Sequence, residues 1–464
     1  MDILIIVLPL FLLIFMAYRG GSVILFAPLA AMLAVALYNP TWVPTFFTGI
    51  FMDKLAGFVR LYLPVFILGA IFGKLIEVAG FAKSITRGIV ALLGKDRAIL
   101  SIVLVGALLT YGGVSLFVVV FALYPFAADL FRTVNIPKRL IPGAIALGAF
   151  TFTMDSFPGT PQIQNIIPTT FYNTDVWAAP ILGLFGGLLV FVLGMMYLNR
   201  RASQAFEKGE GYGTGHKNEI ALESESHLPH IYLALLPLIM VALSNKLLGN
   251  YIPLFYDKFF DFSAIGVEGI PNLEIEKVAG LWAVSGGLIL GICIVLITSF
   301  ERIKLKLFSS VNISISGALL ATLNTASEYG FGGVIAALPG FKILSQQLSH
   351  MFKDPLINEA VTTTTLAGIT GSASGGLSIA LATMSEQYLD MAHEAGISPE
   401  VLHRIASMAS GGMDTLPHNG AVITLLAVTG LSHKSSYKDI FALTVIKTLA
   451  VFVTIAFYYA TGLE

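Results

Sequence analysis

The 464-residue chain is short of charge: Asp, Glu, Lys and Arg supply 12% of it, about half the roughly 25% of a soluble globular protein. A water-facing surface cannot be built on that allowance, so most of the exterior must face lipid. Cysteine is nearly absent. The single Cys293, within "LGICIVL", rules out a disulfide, a thiolate metal site and a redox pair, and reads as inert packing. Neither sign of charge dominates, and a net charge of −1 argues against a nucleic-acid partner. Motifs are missing too. Without G-x-x-x-x-G-K-[ST], ATP does not drive the protein directly. Without H-E-x-x-H, G-x-S-x-G or a nucleophile–base set, nothing points to an enzyme, a metal or a cofactor. Regularly spaced arginines, as in a voltage sensor, are also lacking. Energy for any work must then come from an ion gradient. The N-terminus has no basic region followed by an A-x-A site and reads as a retained helix.

What the chain does have is long apolar runs, including 59–79, 178–198, 231–248 and 279–300. They are long enough for helices to cross a bilayer and too continuous for barrel strands. This is the pattern of an all-α multi-span membrane protein. Basic clusters such as Lys83/Arg87/Lys95/Arg97, Arg132/Lys138/Arg139 and Arg302/Lys304/Lys306 mark the cytoplasmic side, and the acidic 386–400 segment reads as external. One long polar stretch, 199–228, is expected to be a flexible cytoplasmic linker between halves 1–198 and 229–464.

Two short stretches interrupt the apolar pattern in the same way: "MDSFPGT" at 154–160 and "MDTLPHN" at 413–419. Aligning the halves on them sets Lys83 on Lys342, each opening an amphipathic arm, and sets "LLTYGGVSL" (108–116) on "AGITGSASG" (367–375). Each half then reads as three helices, an arm, a Gly-tipped hairpin, a broken helix and a closing helix. The hairpins fall at about 98–130 and 357–385, and the broken helices at about 140–172 and 400–431. Five crossings per half would invert the second half relative to the first. Two inverted repeats, each with a re-entrant hairpin and a broken helix, are the organisation of secondary transporters.

Irregular backbone at membrane depth is tolerated only where protein buries it or it lines a watery cavity. The breaks therefore mark a candidate binding site. Ser156, Gly159, Thr160 and Gln162 at the first, and Thr415, His418 and Asn419 at the second, offer hydroxyls, amides and open backbone to a ligand. Gln164 and Asn165 lie just beyond. The hairpin tips add Thr110, Tyr111, Gly112, Gly113 and Ser115, and Thr370, Gly371, Ser372, Ser374 and Gly375. Small residues there also serve close helix packing. Asp155 and Asp414 are candidates for holding a coupling proton or cation, or alternatively for capping the half-helices that follow. Glu328 is a candidate proton carrier or a paired structural carboxylate. Lys74 and Glu77, at i,i+3 spacing, read as a structural ion pair.

The stretches "FTMDSFPGTPQIQNIIPTTFYNTDVWAAPILG" and "GGMDTLPHNGAVITLLAVTGL" resemble the gluconate permease family of the ion-transporter superfamily, along nearly the whole chain and closest to its hydroxybutyrate-type members. Gluconate-type members carry His-Pro-Gly-Pro at the first break. Here Phe157, Pro158, Gly159 and Thr160 stand instead, which implies a shorter, more apolar hydroxy or keto acid. The resemblance implies proton symport of a small organic acid such as 3-hydroxybutyrate or gluconate, elevator-like movement of the hairpin domain, and a homodimer in the bacterial cytoplasmic (inner) membrane. A sodium-coupled carboxylate symporter and a cation/proton antiporter are the alternatives.

Overall fold

A computed structural model describes residues 2–18, 22–114, 116–218, 228–256, 258–269, 271–275, 278–341, 352–370, 372–417 and 419–464. Ser115, Gly371, His418, the second amphipathic arm at 342–351 and the end of the polar stretch, 219–227, lie outside them. The described chain is almost entirely helical. Six of its helical segments are long and apolar enough to cross a membrane: Pro40–Val78, Pro180–Glu207, Ile231–Phe255, Ala279–Ile303, Leu307–Ala337 and His433–Thr461. Large apolar side chains such as Leu188, Met196, Ile239, Ile297 and Leu320 are exposed on these helices, as a lipid-facing surface requires. Cys293 is exposed on one of them, so it does not pack into the core as its apolar neighbours suggest.

Helices α1 (Asp2–Tyr18), α2 (Val23–Tyr38), α3 (Met52–Val78) and the amphipathic α4 (Phe81–Leu93) open the chain. Lys74 and Glu77 form the expected ion pair at 2.8 Å. Helices α5 (Ala98–Tyr111) and α6 (Leu116–Thr133) fold back on each other as a hairpin. Next comes an interrupted helix: α7 (Ile141–Ala149), a single turn at Phe152–Asp155, and α8 (Ile163–Tyr172). Pro158 and Pro161 each remove an amide donor, and Gly159 takes a left-handed φ of 82°, so the helix cannot run on.

Helix α9 (Pro180–Glu207) continues into the polar stretch whose composition reads as flexible from 199. The run "RRASQAFE" consists largely of strong helix formers, and polarity alone does not end a helix. Residues 208–218 are docked as well. Arg139 binds Glu210 through two guanidinium nitrogens at 2.6 and 2.8 Å, and the Asn218 amide donates to Ala427 O at 2.8 Å.

After the linker, α10 (Ile231–Phe255) and α11 (Ala279–Ile303) pack together, with a two-stranded antiparallel ribbon, Phe259–Phe260 against Leu273–Glu274, between them in sequence. Helix α12 (Leu307–Ala337) follows. A second hairpin, α13 (Pro355–Thr370) and α14 (Ala373–Ala395), leads into a second interrupted helix: α15 (Pro399–Gly411), a 3₁₀ turn at Gly412–Thr415, and α16 (Gly420–Thr429). Helix α17 (His433–Thr461) closes the chain. In space α3 packs on α11 and α12, and α2 on α12, while the interrupted helices pack on the hairpins, α9 and α17.

Candidate functional site

At the first break Asp155 is fully buried. It forms an ion pair with Lys447, a residue midway along α17, and accepts a hydrogen bond from Ser156 Oγ at 2.6 Å. The pair is packed so closely that a Cβ at Gly411 would lie 1.6 Å from Asp155 Oδ2. Glycine is needed there for the carboxylate to pass. The break itself is held by Arg404 of α15, which is wholly buried. Its five N–H donors all go to protein oxygens: Asp155 O, Asn165 Oδ1, Val176 O and, twice, Ala178 O. Asn165 Oδ1 also takes a contact from His403 Nε2 at 3.1 Å, and its amide donates to Thr160 O and Val176 O. Arg404 thus positions the irregular backbone, and among the described residues its positive charge has no carboxylate within ion-pair distance.

The first hairpin tip meets this break. Gln162 Nε2 donates to Thr110 O at 2.7 Å and Val114 O at 3.3 Å, and the Tyr111 hydroxyl donates to Pro158 O at 2.9 Å. Gly113, at φ 92°, leaves room for Pro161, and Gly112 for Leu238 of α10. Gly159 lies under the Trp177 ring, where a Cβ would come within 2.5 Å. The Thr160 hydroxyl is buried and makes no hydrogen bond.

Asp414, at the second break, is treated differently. Its carboxylate accepts from Gln164 Nε2 at 2.6 Å, from the Ala373 amide at 3.1 Å and from Asn419 Nδ2 at 3.1 Å. These donors come from the first break, the second hairpin and the second break, and none carries charge. Glu328 of α12 joins the same cluster through Ser372, and its Oε2 lies where a Cβ on Gly375 would intrude to 1.9 Å. Ser372 caps α14 at Gly375 N (3.1 Å), and Ser374 lies beside it at 3.3 Å.

Neither aspartate caps the half-helix that follows. That role falls to Asn419 for α16, at 2.7 Å from Ala421 N, while α8 begins at Gln162 without a side-chain cap. Thr415 turns toward α17, bonding Gly412 O and Thr444 Oγ1. Both breaks, the first tip and Ser372–Gly375 are therefore brought together, with Glu328 among them.

Lys447, Arg404 and His403 join the site without having been expected from sequence. Lys447 carries a signal, being the only charge in the apolar run 440–461 of the last helix. Its pairing with a residue 292 positions away is not readable from the chain.

A family model for GntP family permeases matches residues 1–248. The chain is 58% identical over 472 residues to a Bacillus subtilis (strain 168) protein described as the uncharacterized transporter YxjC, and the match covers 100% of both chains. Among solved structures, the Alcanivorax borkumensis YdaH transporter, reported to have an unusual topology, aligns with a TM-score of 0.51 at 12% identity. The alignment covers 89% of this chain and 88% of that one, and the likeness is one of fold.

Proposed function

Because the chain belongs to the GntP permease family, and so is a multi-pass membrane transporter and not an enzyme, we propose that it moves a small organic monocarboxylate together with a proton. The observation that carries this reading is the bridge at Asp414, where the first break (Gln164) and the second hairpin (Ala373) hold one buried carboxylate. Two interrupted helices and two hairpins meeting at buried ionisable groups are the layout of a midplane transport site. In this reading the hairpins are re-entrant, the two halves are inverted repeats, and the hairpin group moves past the remaining helices.

The two breaks would then divide the labour. Around the first, Asp155 is already neutralised by Lys447, so the Arg404 charge is left over. That excess positive potential, with the unpartnered Thr160 hydroxyl, suits the carboxylate of the substrate. Around the second, Asp414 and Glu328 have no cation within ion-pair distance among the described residues, so this is where a coupling proton is held. Three N–H donors already occupy the Asp414 oxygens, a lining unsuited to a sodium ion, which seeks oxygen ligands. This favours proton over sodium coupling and symport over cation exchange. The Phe157–Thr160 element favours a short hydroxy or keto acid over a sugar acid. A bacterial cytoplasmic membrane and a homodimer complete the proposal.

Counterflow tests it. Proteoliposomes preloaded with unlabelled 3-hydroxybutyrate, pyruvate or gluconate should take up the labelled form of the acid that is carried, and an inward proton gradient should drive net accumulation. Failure of every organic acid to exchange, together with sodium-dependent proton release, would overturn the reading.

A further inference from the structure

A second buried carboxyl lies away from the two breaks, on the first arm of the second hairpin. Glu359 is fully buried in α13. One of its oxygens accepts from the Tyr172 hydroxyl of α8, and the other, Oε2, has no hydrogen-bond partner. One turn further along the same helix face, the Thr363 hydroxyl is also buried without a partner. Two unsatisfied polar atoms on one buried face are uncommon and call for an explanation.

Among the described residues no cation balances Glu359. The ionisable groups facing it are two phenols, Tyr172 and, from α14, Tyr388; Glu386 and Asp390 of α14 are exposed. On α15, His403 turns to Thr174 and Asn165, and Arg404 is spent on backbone oxygens and Asn165. On α17, Lys447 is committed to Asp155, and Tyr459 bonds Asp354 at the start of α13. Helix α1, also packed on α13, has no ionisable residue between positions 3 and 17. The 3₁₀ turn adds only the acidic Asp414. An isolated carboxylate in such a place would cost far more than the fold can supply, whereas the neutral acid costs about as much as any buried polar group.

We propose that Glu359 is a proton-binding site of the transporter, protonated in this closed arrangement and discharged when the hairpin carrying it reaches water. The proposal rests on the proton-symport reading above and adds a carrier outside the Asp155–Asp414 centre. Thr363 is the next polar rung toward the hairpin tip, and a water between it and Oε2 would satisfy both atoms. On release the O–H bond of the acid breaks, the proton passes to water, and the carboxylate keeps the electron pair.

Infrared difference spectroscopy on the purified protein tests the protonation state without requiring transport. At neutral pH the wild type should show the carbonyl band of an un-ionised carboxylic acid that is lost in Glu359→Gln. Absence of any such lost band overturns the proposal. In proteoliposomes Glu359→Gln, which imitates the protonated acid, should exchange substrate within about twofold of the wild-type rate. For one proton per anion, a gradient of one pH unit supports about tenfold accumulation, and in the variant this should fall to simple equilibration. A variant that still accumulates substrate to the wild-type ratio sinks the proposal. Tyr172→Phe provides a second arm, since it keeps the ring and the acid: its carbonyl band should persist at a shifted frequency, and an unmoved band also counts against the proposal. If the wild type itself exchanges no organic acid, the symport reading falls while the infrared result on Glu359 still stands.

Discussion

Removing the Lys447 ammonium would strand the Asp155 carboxylate in a site closed to water. Breaking a buried ion pair from one side costs about 3–5 kcal/mol, whereas replacing both partners by neutral groups of similar size is often near neutral. Lys447→Met should therefore lower the thermal stability of the detergent-solubilised protein sharply, and Asp155→Asn combined with Lys447→Met should recover most of the loss. Equal stability of Lys447→Met and the wild type would mean that the carboxylate is not charged as paired. Asp414 predicts the opposite pattern. Its partners are neutral donors, so Asp414→Asn leaves no orphaned cation, and the Gln164 amide, whose Oε1 has no hydrogen-bond partner, can turn to accept from the new Nδ2. The variant should cost little stability while impairing proton-driven accumulation. Normal accumulation by that variant would remove Asp414 from the coupling step. Matched positions in two similar stretches of sequence thus carry different chemistry, because the partner of each aspartate comes from a distant helix.

The second hairpin closes because Gly376 has no side chain. A Cβ there would lie 2.1 Å from Ala367 Cα, inside the facing arm, with backbone on every near side. Gly376→Ala should wedge the arms apart and cost about 1–3 kcal/mol, as overpacking does. Gly420→Ala, at a position with open space around the Cβ, should be silent. A thermal melt of both variants checks the pair, and equal melting temperatures would mean that the arms are not in contact. Hairpins and breaks were legible in the sequence because proline, glycine and polar residues interrupt apolar runs too long to be anything but membrane helices. Gln164 and Asn165 were legible for the same reason, lying directly after a break. The beginning of the linker was not. Polarity from Asn199 onward says nothing about helicity when the residues are helix formers, and α9 simply continues to Glu207. Arg404 and Glu359 were missed for another reason. Each sits in an amphipathic or Thr-rich arm where a polar residue reads as solvent-facing, and only the packing of α15 on α8, and of α13 on α15, buries it.

At the scale of the molecule, the helices sort by contact into two groups. One contains α2, α3, α10, α11 and α12, and the other contains the hairpins, the interrupted helices, α9 and α17, with α12 against α14 of the second hairpin as the main junction between them. The first hairpin tip touches the first group at a narrow point, where an ideal Cβ on Gly112 lies 3.0 Å from the Cβ of Leu238. A disulfide takes Cβ atoms about 3.5–4.5 Å apart, so a small adjustment would admit one. The only native cysteine, Cys293, is exposed on α11, and Cys293→Ser gives a clean background at little cost to packing. In that background, Gly112→Cys with Leu238→Cys should cross-link on oxidation. If transport requires the hairpin group to slide past α10, the oxidised protein should lose both counterflow and accumulation, and dithiothreitol should restore them. Each single-cysteine variant should be indifferent to oxidation. A cross-linked protein that transports at the reduced protein's rate would mean that hairpin tip and α10 travel together, and the moving boundary would then have to lie elsewhere in the molecule.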